Sequence, residues 1–247
     1  WAKEEVDAVL GADAELFCSF YDITDHGNWE EINIPRIKTP AQDFCQHHSL
    51  NQDEFIVRMK SCLQKLYEKR SERIRPLLDD KIILGWNALM NSAYCKAFAA
   101  TGNESYRKKA VENMQFLLTA FGSDDSLSLK HTWKNKTAKF TAFLDDYAFL
   151  IKSLIHLQEI TSNFAYLEKA SQLAEYVISS FSEEETGYFF YTPQGQEDII
   201  IRKKEVYDGA VPSGNSVMSS NLYQLGILFN RPEWIDRSVQ MLGALAQ

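Results

Sequence analysis

Aspartates occur at or just before the start of each of three strongly apolar predicted helices. These are Asp79 and Asp80, Asp145 and Asp146, and Asp208. Two carboxylates roughly 6.5 to 9.5 Å apart can hydrolyse a glycosidic bond with inversion, because one protonated group acts as the acid while the other activates water. Asp146 and Asp208 are therefore the candidate catalytic residues. The competing interpretation is that each aspartate caps its helix and complements the helix dipole.

Aromatic, amide and hydroxyl side chains lie at the same helix starts. The candidate substrate-binding residues there are Trp86, Asn87, Tyr147, Ser213 and Asn215. An aromatic ring stacks on the apolar face of a sugar, while amides and hydroxyls bond to its hydroxyl groups. Alternatively, Trp86 and Tyr147 fill the core. Ser213 is better interpreted as a helix N-cap than as a nucleophile, because no Gly-x-Ser-x-Gly elbow surrounds it.

Histidines are the usual proton-transfer groups of an epimerase. His131, in a predicted β-hairpin, is the best placed of them and joins the candidate substrate-binding residues. His156 falls on an inner helix without a recognisable partner, and a core role is the simpler interpretation. The adjacent His47 and His48 do not make a convincing metal site. We expect neither a metal nor another cofactor.

The helices that carry these residues recur as pairs. Residues 79–121 have the pattern of a helical hairpin, and shifts of 60 and 128 residues bring matching segments into register. Tyr106, Tyr166 and Trp234 then share one position. The predicted pairs are 83–101 with 104–121, 144–161 with 164–181, and 215–229 with 232 onward. Because the first helix of each pair is nearly apolar and the second carries more charge, we expect inner helices covered by outer ones.

Two β-hairpins are predicted between these pairs. Residues 127–140 alternate around a Lys134–Lys136 turn, and residues 187–202 flank a turn at 193–196. Each hairpin follows an outer helix and precedes the next inner one, so both are expected at one end of the assembly.

The N-terminal section has a different organisation. A helix over residues 3–10 ends at Gly11, and a short helix covers 12–21. Residues 22–39 are rich in turn formers and predict a loop. A longer helix begins near Asn51 and continues to about Arg73.

Composition excludes several classes of protein. The net charge of -8 argues against a nucleic-acid partner, which requires clustered lysine and arginine. No run approaches the ~18 apolar residues of a membrane span, so no membrane partner is expected. The four cysteines, at positions 18, 45, 62 and 95, have neither a CxxC pair nor zinc spacing. They indicate buried thiols of a reducing, cytoplasmic compartment, with the periplasm as the alternative.

The chain resembles the YyaL-like, spermatogenesis-associated thioredoxin-like proteins. The resemblance rests on several blocks in the same order: WAKEEV at 1–6, YDITDHGNWE at 21–30, DDK at 79–81 with WN at 86–87, DYA at 146–148 and DGAVPSGNS at 208–216. Ala88 and Asn91 depart from the glycine and the apolar residue that the family pattern has after Trp86 and Asn87.

This resemblance implies an (α/α) toroid of the six-hairpin glycosidase kind, akin to N-acylglucosamine 2-epimerases, with a thioredoxin-like domain elsewhere in a longer chain. In a toroid the inner helix starts meet at one rim, where Asp146 and Asp208 could face one pocket. We expect an all-α toroid, complete or partial, over residues 1–247. It would comprise an N-terminal section at 1–78 and three repeats at 79–247, with the β-hairpins on one rim. Three pairs do not close a six-pair ring.

The leading functional hypothesis is a carbohydrate-active or carbohydrate-binding domain, of hydrolase or epimerase type, with a sugar as ligand. The alternative is a non-catalytic interaction domain that packs against the thioredoxin-like domain or a protein partner. The two hypotheses differ in whether Asp146 and Asp208 point into one solvent-accessible pocket with side chains free of backbone capping bonds. If both carboxylates bond only helix amides, the glycosidase hypothesis fails.

Overall fold

The structure is a computed structural model that describes residues 1–122, 127–183, 185–196 and 199–243. Its backbone contacts divide the chain into two compact units, Trp1–Leu78 and Asp79–Gln247. No helix within the described residues is both long enough and apolar enough to cross a membrane.

The first unit is helical and has its own core. Its helices are α1 (Lys3–Leu10), α2 (Ala14–Phe20), α3 (Ala41–His47) and α4 (Gln52–Ser71). Gly11 ends α1 with φ of 55°, and the Asn51 side chain caps α4 by accepting from the amides of Asp53 and Glu54. These findings confirm the predicted helix boundaries at both places. Helix α3 was not predicted, because it has only seven residues and follows directly on the loop that ends at Pro40.

The second unit consists of helical hairpins joined in sequence. The inner helices are α5 (Leu84–Thr101), α7 (Leu144–Thr161) and α9 (Gly214–Leu228), and the outer helices are α6 (Glu104–Ala120), α8 (Ala165–Phe181) and α10 (Pro232–Gly243). The three predicted pairs are confirmed to within a few residues at each end. Helix α5 packs against α7, and α7 packs against α9.

Helix α7 lies at the centre of the second unit. Most of its residues are buried, including Tyr147, Leu150 and Leu154 at 0% exposure. The outer helices bury one face only: α8 buries Leu167, Ala170 and other residues at helical spacing. A helix that is apolar all round must be enclosed, whereas an amphipathic helix covers it. The sequence-based assignment of α7 as an inner helix and α8 as an outer helix is therefore confirmed.

A small antiparallel sheet adjoins the helix starts. It contains β1 (Ile82–Ile83), β2 (Lys130–Lys134) and β3 (Thr137–Thr141) in that order. Asn135 and Lys136 both have positive φ, which suits a two-residue hairpin turn, so the first predicted β-hairpin is confirmed. Strand β1 was not predicted because two residues give no periodicity. It pairs Ile83 with Thr132 and continues directly into α5, which ties the α5 start to β2.

The second predicted β-hairpin is wrong for the residues that the structure describes. Asp198, at the start of its second strand, lies outside them. Residues 187–192 and 199–202 form no strand, and only an isolated bridge joins Phe189 to Ser182. Side-chain contacts organise this connection: the Arg202 guanidinium donates to the Thr192 carbonyl at 2.7 Å and lies 4.2 Å from the Phe190 ring centre. The apolar residues that alternate along this connection therefore pack against other side chains and do not pair in a strand ladder.

Candidate functional site

A cavity of about 730 Å³ opens where β1, β2 and the start of α5 meet. We call it the rim cavity. Its wall combines three aromatic side chains with charged and titratable groups: Trp86, Phe140, Phe143, Asp79, Lys81 and His131. The volume falls within the range of small-molecule sites, about 300 to 1,000 Å³. Trp86 and Phe140 are 63% and 67% exposed, so their rings are available for stacking.

His131 is held in the cavity wall by a buried carboxylate. Its Nδ1 lies 2.8 Å from Oδ2 of Asp146, which is 2% exposed. An ionised carboxylate only accepts hydrogen bonds, so Nδ1 is the donor. Nε2 has no protein partner in the part of the chain that the structure describes, and it is the nitrogen left for a ligand. The hydrogen bond to Asp146 raises the pKa of His131 despite the opposing effect of burial.

Asp146 is fixed by backbone amides from two elements. Its Oδ1 accepts from the amide of Gly85 in α5, and its Oδ2 accepts from the amide of Phe143, both at 2.9 Å. A Cβ atom at Gly85 would lie 3.0 Å from Oδ1, so the glycine permits the close approach of α5 and α7. Helix capping, the alternative interpretation of this aspartate, accounts only for the bond from the Phe143 amide. The bonds with Gly85 and His131 join α5 and β2 to the start of α7.

Asp145 is a second unusual carboxyl at the same helix start. Burial, with the negative charges of Glu205 and Asp146, raises the pKa of Asp145 to about 6. Its Oδ1 is buried without a hydrogen bond within the described residues. Gly214 of α9 approaches so closely that a Cβ there would overlap Oδ1. Sequence reasoning preferred Asp146, because Asp145 has the position of the outer member of the pair. Nothing in that local pattern shows which of the two aspartates is left unpaired.

Tyr147 lies away from the rim cavity, in the core. It is fully buried, and its hydroxyl accepts from the Leu129 amide at 2.8 Å and donates to the Leu127 carbonyl at 3.1 Å. Burial raises the pKa of this phenol well above its usual value. The side chain thereby holds the segment that leads into β2, which carries His131.

Asp208, Ser213 and Asn215 organise the approach to α9. Oδ1 of Asp208 accepts from the Ser213 amide at 2.9 Å, and the Ser213 hydroxyl donates to the Glu205 carbonyl at 3.0 Å. Asn215 bonds both backbone groups of Phe189, with distances of 2.8 and 3.0 Å. Ser213 also caps α9, although its distance to the Ser216 amide is long at 3.4 Å. None of these three side chains lines the rim cavity.

The predicted site residues therefore separate into groups. Trp86 and His131 share the rim cavity, and Asp146 supports His131 from behind. Asn87, at the start of α5, donates to the Ile83 carbonyl at 3.0 Å and is not part of the cavity wall.

Lys81 and Asp79 line the cavity as an ion pair of 3.2 Å, and that contact lowers the pKa of Asp79. Sequence reasoning did not select Lys81, because a lysine before an apolar helix carries no distinguishing pattern.

Metal-binding geometry is not found in the described ranges. No group of three or more histidine, cysteine, aspartate or glutamate side chains there is arranged to hold a metal ion. All four cysteines are free and buried, as predicted.

Comparison with other proteins identifies relatives over the whole chain. Human spermatogenesis-associated protein 20 is 27% identical, with 100% of this chain matched to 35% of that protein. The Rattus norvegicus protein of the same name is 31% identical with the same coverage. An uncharacterised protein of Caenorhabditis elegans is 27% identical over 97% of this chain. The chain spans about a third of the length of these relatives, and no protein-family model matches it.

Solved structures with the same fold are carbohydrate enzymes. D-mannose isomerase superposes with a TM-score of 0.55 and 15% identity, covering 68% of this chain and 41% of that one. Cellobiose 2-epimerase of Bacillus thermoamylovorans superposes with a TM-score of 0.55 and 15% identity, covering 66% of this chain and 44% of that one. A GH76 α-mannanase of Bacteroides thetaiotaomicron superposes with a TM-score of 0.51 and 14% identity, covering 97% of this chain and 70% of that one. The fold is thus of the (α/α)-toroid, six-hairpin glycosidase-like class that the sequence indicated.

Proposed function

We propose that this relative of spermatogenesis-associated protein 20 binds a carbohydrate in the rim cavity and that His131 is the acid–base group of the site. The observation that carries the proposal is the His131 to Asp146 pair in the wall of an aromatic-lined cavity. A buried carboxylate sets the tautomer and orientation of the ring and favours its protonated form.

The arrangement favours proton transfer over the two-carboxylate mechanism. Asp146 is nearly inaccessible, and all of its observed contacts are to donors of the protein. Asp208 accepts a backbone amide and lies outside the cavity wall. In contrast, Nε2 of His131 has no protein partner among the residues that the structure describes. A histidine of this kind can remove a proton from a sugar carbon next to a carbonyl and return a proton to the resulting enediolate, which isomerises or epimerises the sugar.

Aromatic and charged groups of the cavity fit a sugar as ligand. Trp86 and Phe140 provide exposed rings for the apolar face of a pyranose, while Lys81 and Asp79 can bond to its hydroxyl groups. The fold supports the same class of ligand, because the solved neighbours named above are a mannose isomerase, a cellobiose epimerase and a mannanase.

The test is proton exchange between sugar and solvent. D-Mannose, D-glucose and cellobiose are incubated with the protein in D₂O, and deuterium at the carbon next to the carbonyl is followed by NMR. We expect exchange with at least one sugar, and a loss of about a hundredfold or more in His131→Gln. His26→Gln is the matched control, since His26 is exposed and lies in the first unit. Exchange that is unchanged in His131→Gln would contradict the proposal.

Hydrolysis through Asp145 is the second candidate function. Burial and nearby negative charge raise the pKa of Asp145 to about 6, as is typical of a general acid, and its Oδ1 has no hydrogen bond within the described residues. An inactive α-1,6-mannanase variant of Salegentibacter, with two adjacent aspartates replaced and mannotriose bound, has the same fold at a TM-score of 0.52. Two results together would favour this function over proton transfer. The protein would release mannose from α-1,6-mannotriose without deuterium uptake into the sugar, and Asp145→Asn would abolish that release.

A further inference from the structure

The rim cavity contains a positive group that the acid–base role of His131 does not use. Lys81 lines the cavity one residue before β1, and His131 lines it from β2, the neighbouring strand. Among the described residues of the cavity wall, Lys81 is the one lysine or arginine. A reaction that passes through an anion is accelerated by a fixed positive group where the negative charge develops.

The pairing of β1 with β2 sets the spacing of the two groups. Ile83 pairs with Thr132, next to His131, and both side chains of this pair line the cavity. The same register, continued beyond β1 by one position, sets Lys81 opposite Lys134. Lys134 is three residues from His131, or about 10 Å of strand. Lys81 and His131 therefore enter the cavity from separate points, and a ligand in the cavity can lie between them.

The ammonium of Lys81 is held by Asp79 and keeps unused donors. Its Nζ lies 3.2 Å from Oδ2 of Asp79, and the Lys81 amide donates to Oδ1 of the same carboxylate at 3.3 Å. An ammonium has three N–H donors. Nζ has no second protein partner in the part of the chain that the structure describes, so two donors remain for a ligand. The side chain is 48% exposed, which leaves it accessible from the cavity.

Lys81 also acts on His131 through its charge. The hydrogen bond to Asp146, together with the charges of Asp146 and Asp145, raises the pKa of His131, and the positive charge of Lys81 opposes that rise. Lys81 and His131 are therefore close enough to interact electrostatically. The effect of Lys81 favours the neutral imidazole, which is the form that can accept a proton from a sugar.

On the basis of the function proposed above, we propose that Lys81 is a second catalytic residue, whose ammonium donates to the sugar oxygen that becomes negative when His131 removes a proton. The C–H electron pair becomes the second bond between the two carbons, the carbonyl π pair moves to its oxygen, and the proton moves to Nε2 of His131. When Nε2 returns a proton to the carbon, both electron pairs move back and the carbonyl is restored. Lys81 donates a hydrogen bond and keeps its proton throughout. The substrate is then a sugar with a free carbonyl group.

The first test separates kcat from KM for deuterium uptake in D₂O. Loss of a donor to a developing oxyanion lowers kcat about 10²–10³-fold in a dry site, and solvent screens this one in part. We therefore expect Lys81→Met to lower kcat about ten- to a hundredfold, with a smaller change in KM. Lys81→Arg keeps the charge and should retain more of kcat. Lys134→Met is the matched control, since Lys134 pairs with Asp80 and lies outside the cavity wall.

The second test is the pH dependence of kcat/KM, whose acidic limb reports the pKa of the base in the free enzyme. In Lys81→Met this limb should move to higher pH, because no charge at position 81 opposes the rise that Asp146 causes in the pKa of His131. Lys81→Arg should leave the limb in place. A purely structural role of Lys81 would not move it.

Two kinds of result distinguish this role of Lys81 from the function of the cavity as a whole. A wild-type chain that exchanges no sugar, or exchange that is unchanged in His131→Gln, would overturn the proposed function and the role of Lys81 with it. Exchange that depends on His131 but has the same kcat in Lys81→Met would overturn the role of Lys81 alone. So would an equal loss in Lys134→Met, or a Lys81→Arg variant as slow as Lys81→Met.

Discussion

Nδ1 of His131 donates to Oδ2 of Asp146 over 2.8 Å, and this bond joins strand β2 to the first turn of helix α7. Because Asp146 also accepts from Gly85 at the start of α5, one carboxylate connects three elements around the rim cavity. Most of the properties of the candidate site that can be tested follow from this bond and from the carboxyl group next to it.

Removal of the charge on Asp146 should lower the pKa of His131. In Asp146→Asn the hydrogen bond and the attraction that favour the imidazolium are both lost, while burial still disfavours it. The measurement is an NMR titration of the histidine ring signals, with the exposed His26 as an internal reference. An unchanged His131 titration would show that Asp146 does not set its protonation.

The His131 to Asp146 pair should stabilise the fold most at low pH. The folded-state pKa of His131 is raised, so its stabilising contribution is complete below the unfolded value of about 6.5 and is lost as pH rises through the folded value. We expect His131→Gln to lower the free energy of unfolding by about 1–2 kcal/mol at pH 5.5, and by less at pH 9. Urea unfolding at the two pH values measures this. A larger loss at pH 9 would contradict it.

Asp145→Asn should stabilise the protein above pH 6. The raised pKa of Asp145 means that ionisation in the folded state costs free energy, so the wild-type loses stability as pH rises from about 4 through about 6. With allowance for solvent screening, we expect a gain of about 1–2 kcal/mol at pH 8 that vanishes near pH 4. Asp208→Asn, which changes an exposed carboxylate of the same unit, should show no such gain.

Gly85→Ala should disturb the contact between α5 and α7. The new Cβ would lie 3.0 Å from Asp146 Oδ1 and 3.2 Å from the Phe149 ring. Overpacking of this kind costs about 1–3 kcal/mol, against a gain in helix propensity of about 1 kcal/mol. Gly209→Ala is the matched control, since a Cβ there meets no atom within 4 Å. Thermal unfolding of the two variants should show a loss of stability in Gly85→Ala alone.

Asn91 should contribute more to the stability of the fold than a surface amide does, because its side chain joins three helices. Its Nδ2 donates to the Ala110 carbonyl of α6 at 2.7 Å, and its Oδ1 accepts from the Ser153 hydroxyl of α7 at 2.8 Å. We expect Asn91→Ala to lower the free energy of unfolding by about 2–4 kcal/mol. The double variant with Ser153→Ala should lose less than the sum of the single losses. Strict additivity in chemical denaturation would show that the two side chains are not coupled.

Local pattern was sufficient for the helical hairpins. Periodicity and capping act within a few turns of chain, and they were enough to predict the helix starts and the apolar faces. The repeat shifts of 60 and 128 residues were equally visible in the sequence. The position of His131 on a β-hairpin was predicted for the same reason. The second β-hairpin was predicted wrongly, since alternation there serves packing around Arg202 and Phe190 rather than strand pairing.

Only the tertiary structure decided which residues, distant in sequence, contact each other. Asp145 and Asp146 are adjacent in sequence and of the same residue type. Asp146 accepts three hydrogen bonds, whereas Oδ1 of Asp145, beside Gly214, has no hydrogen bond within the described residues. The sequence by itself determined that aspartates stand at the inner helix starts. Which of them has a raised pKa, which orients His131 and which accepts from a loop amide depends on burial and on charges brought together from α5, β2 and α9. No local pattern encodes those distances.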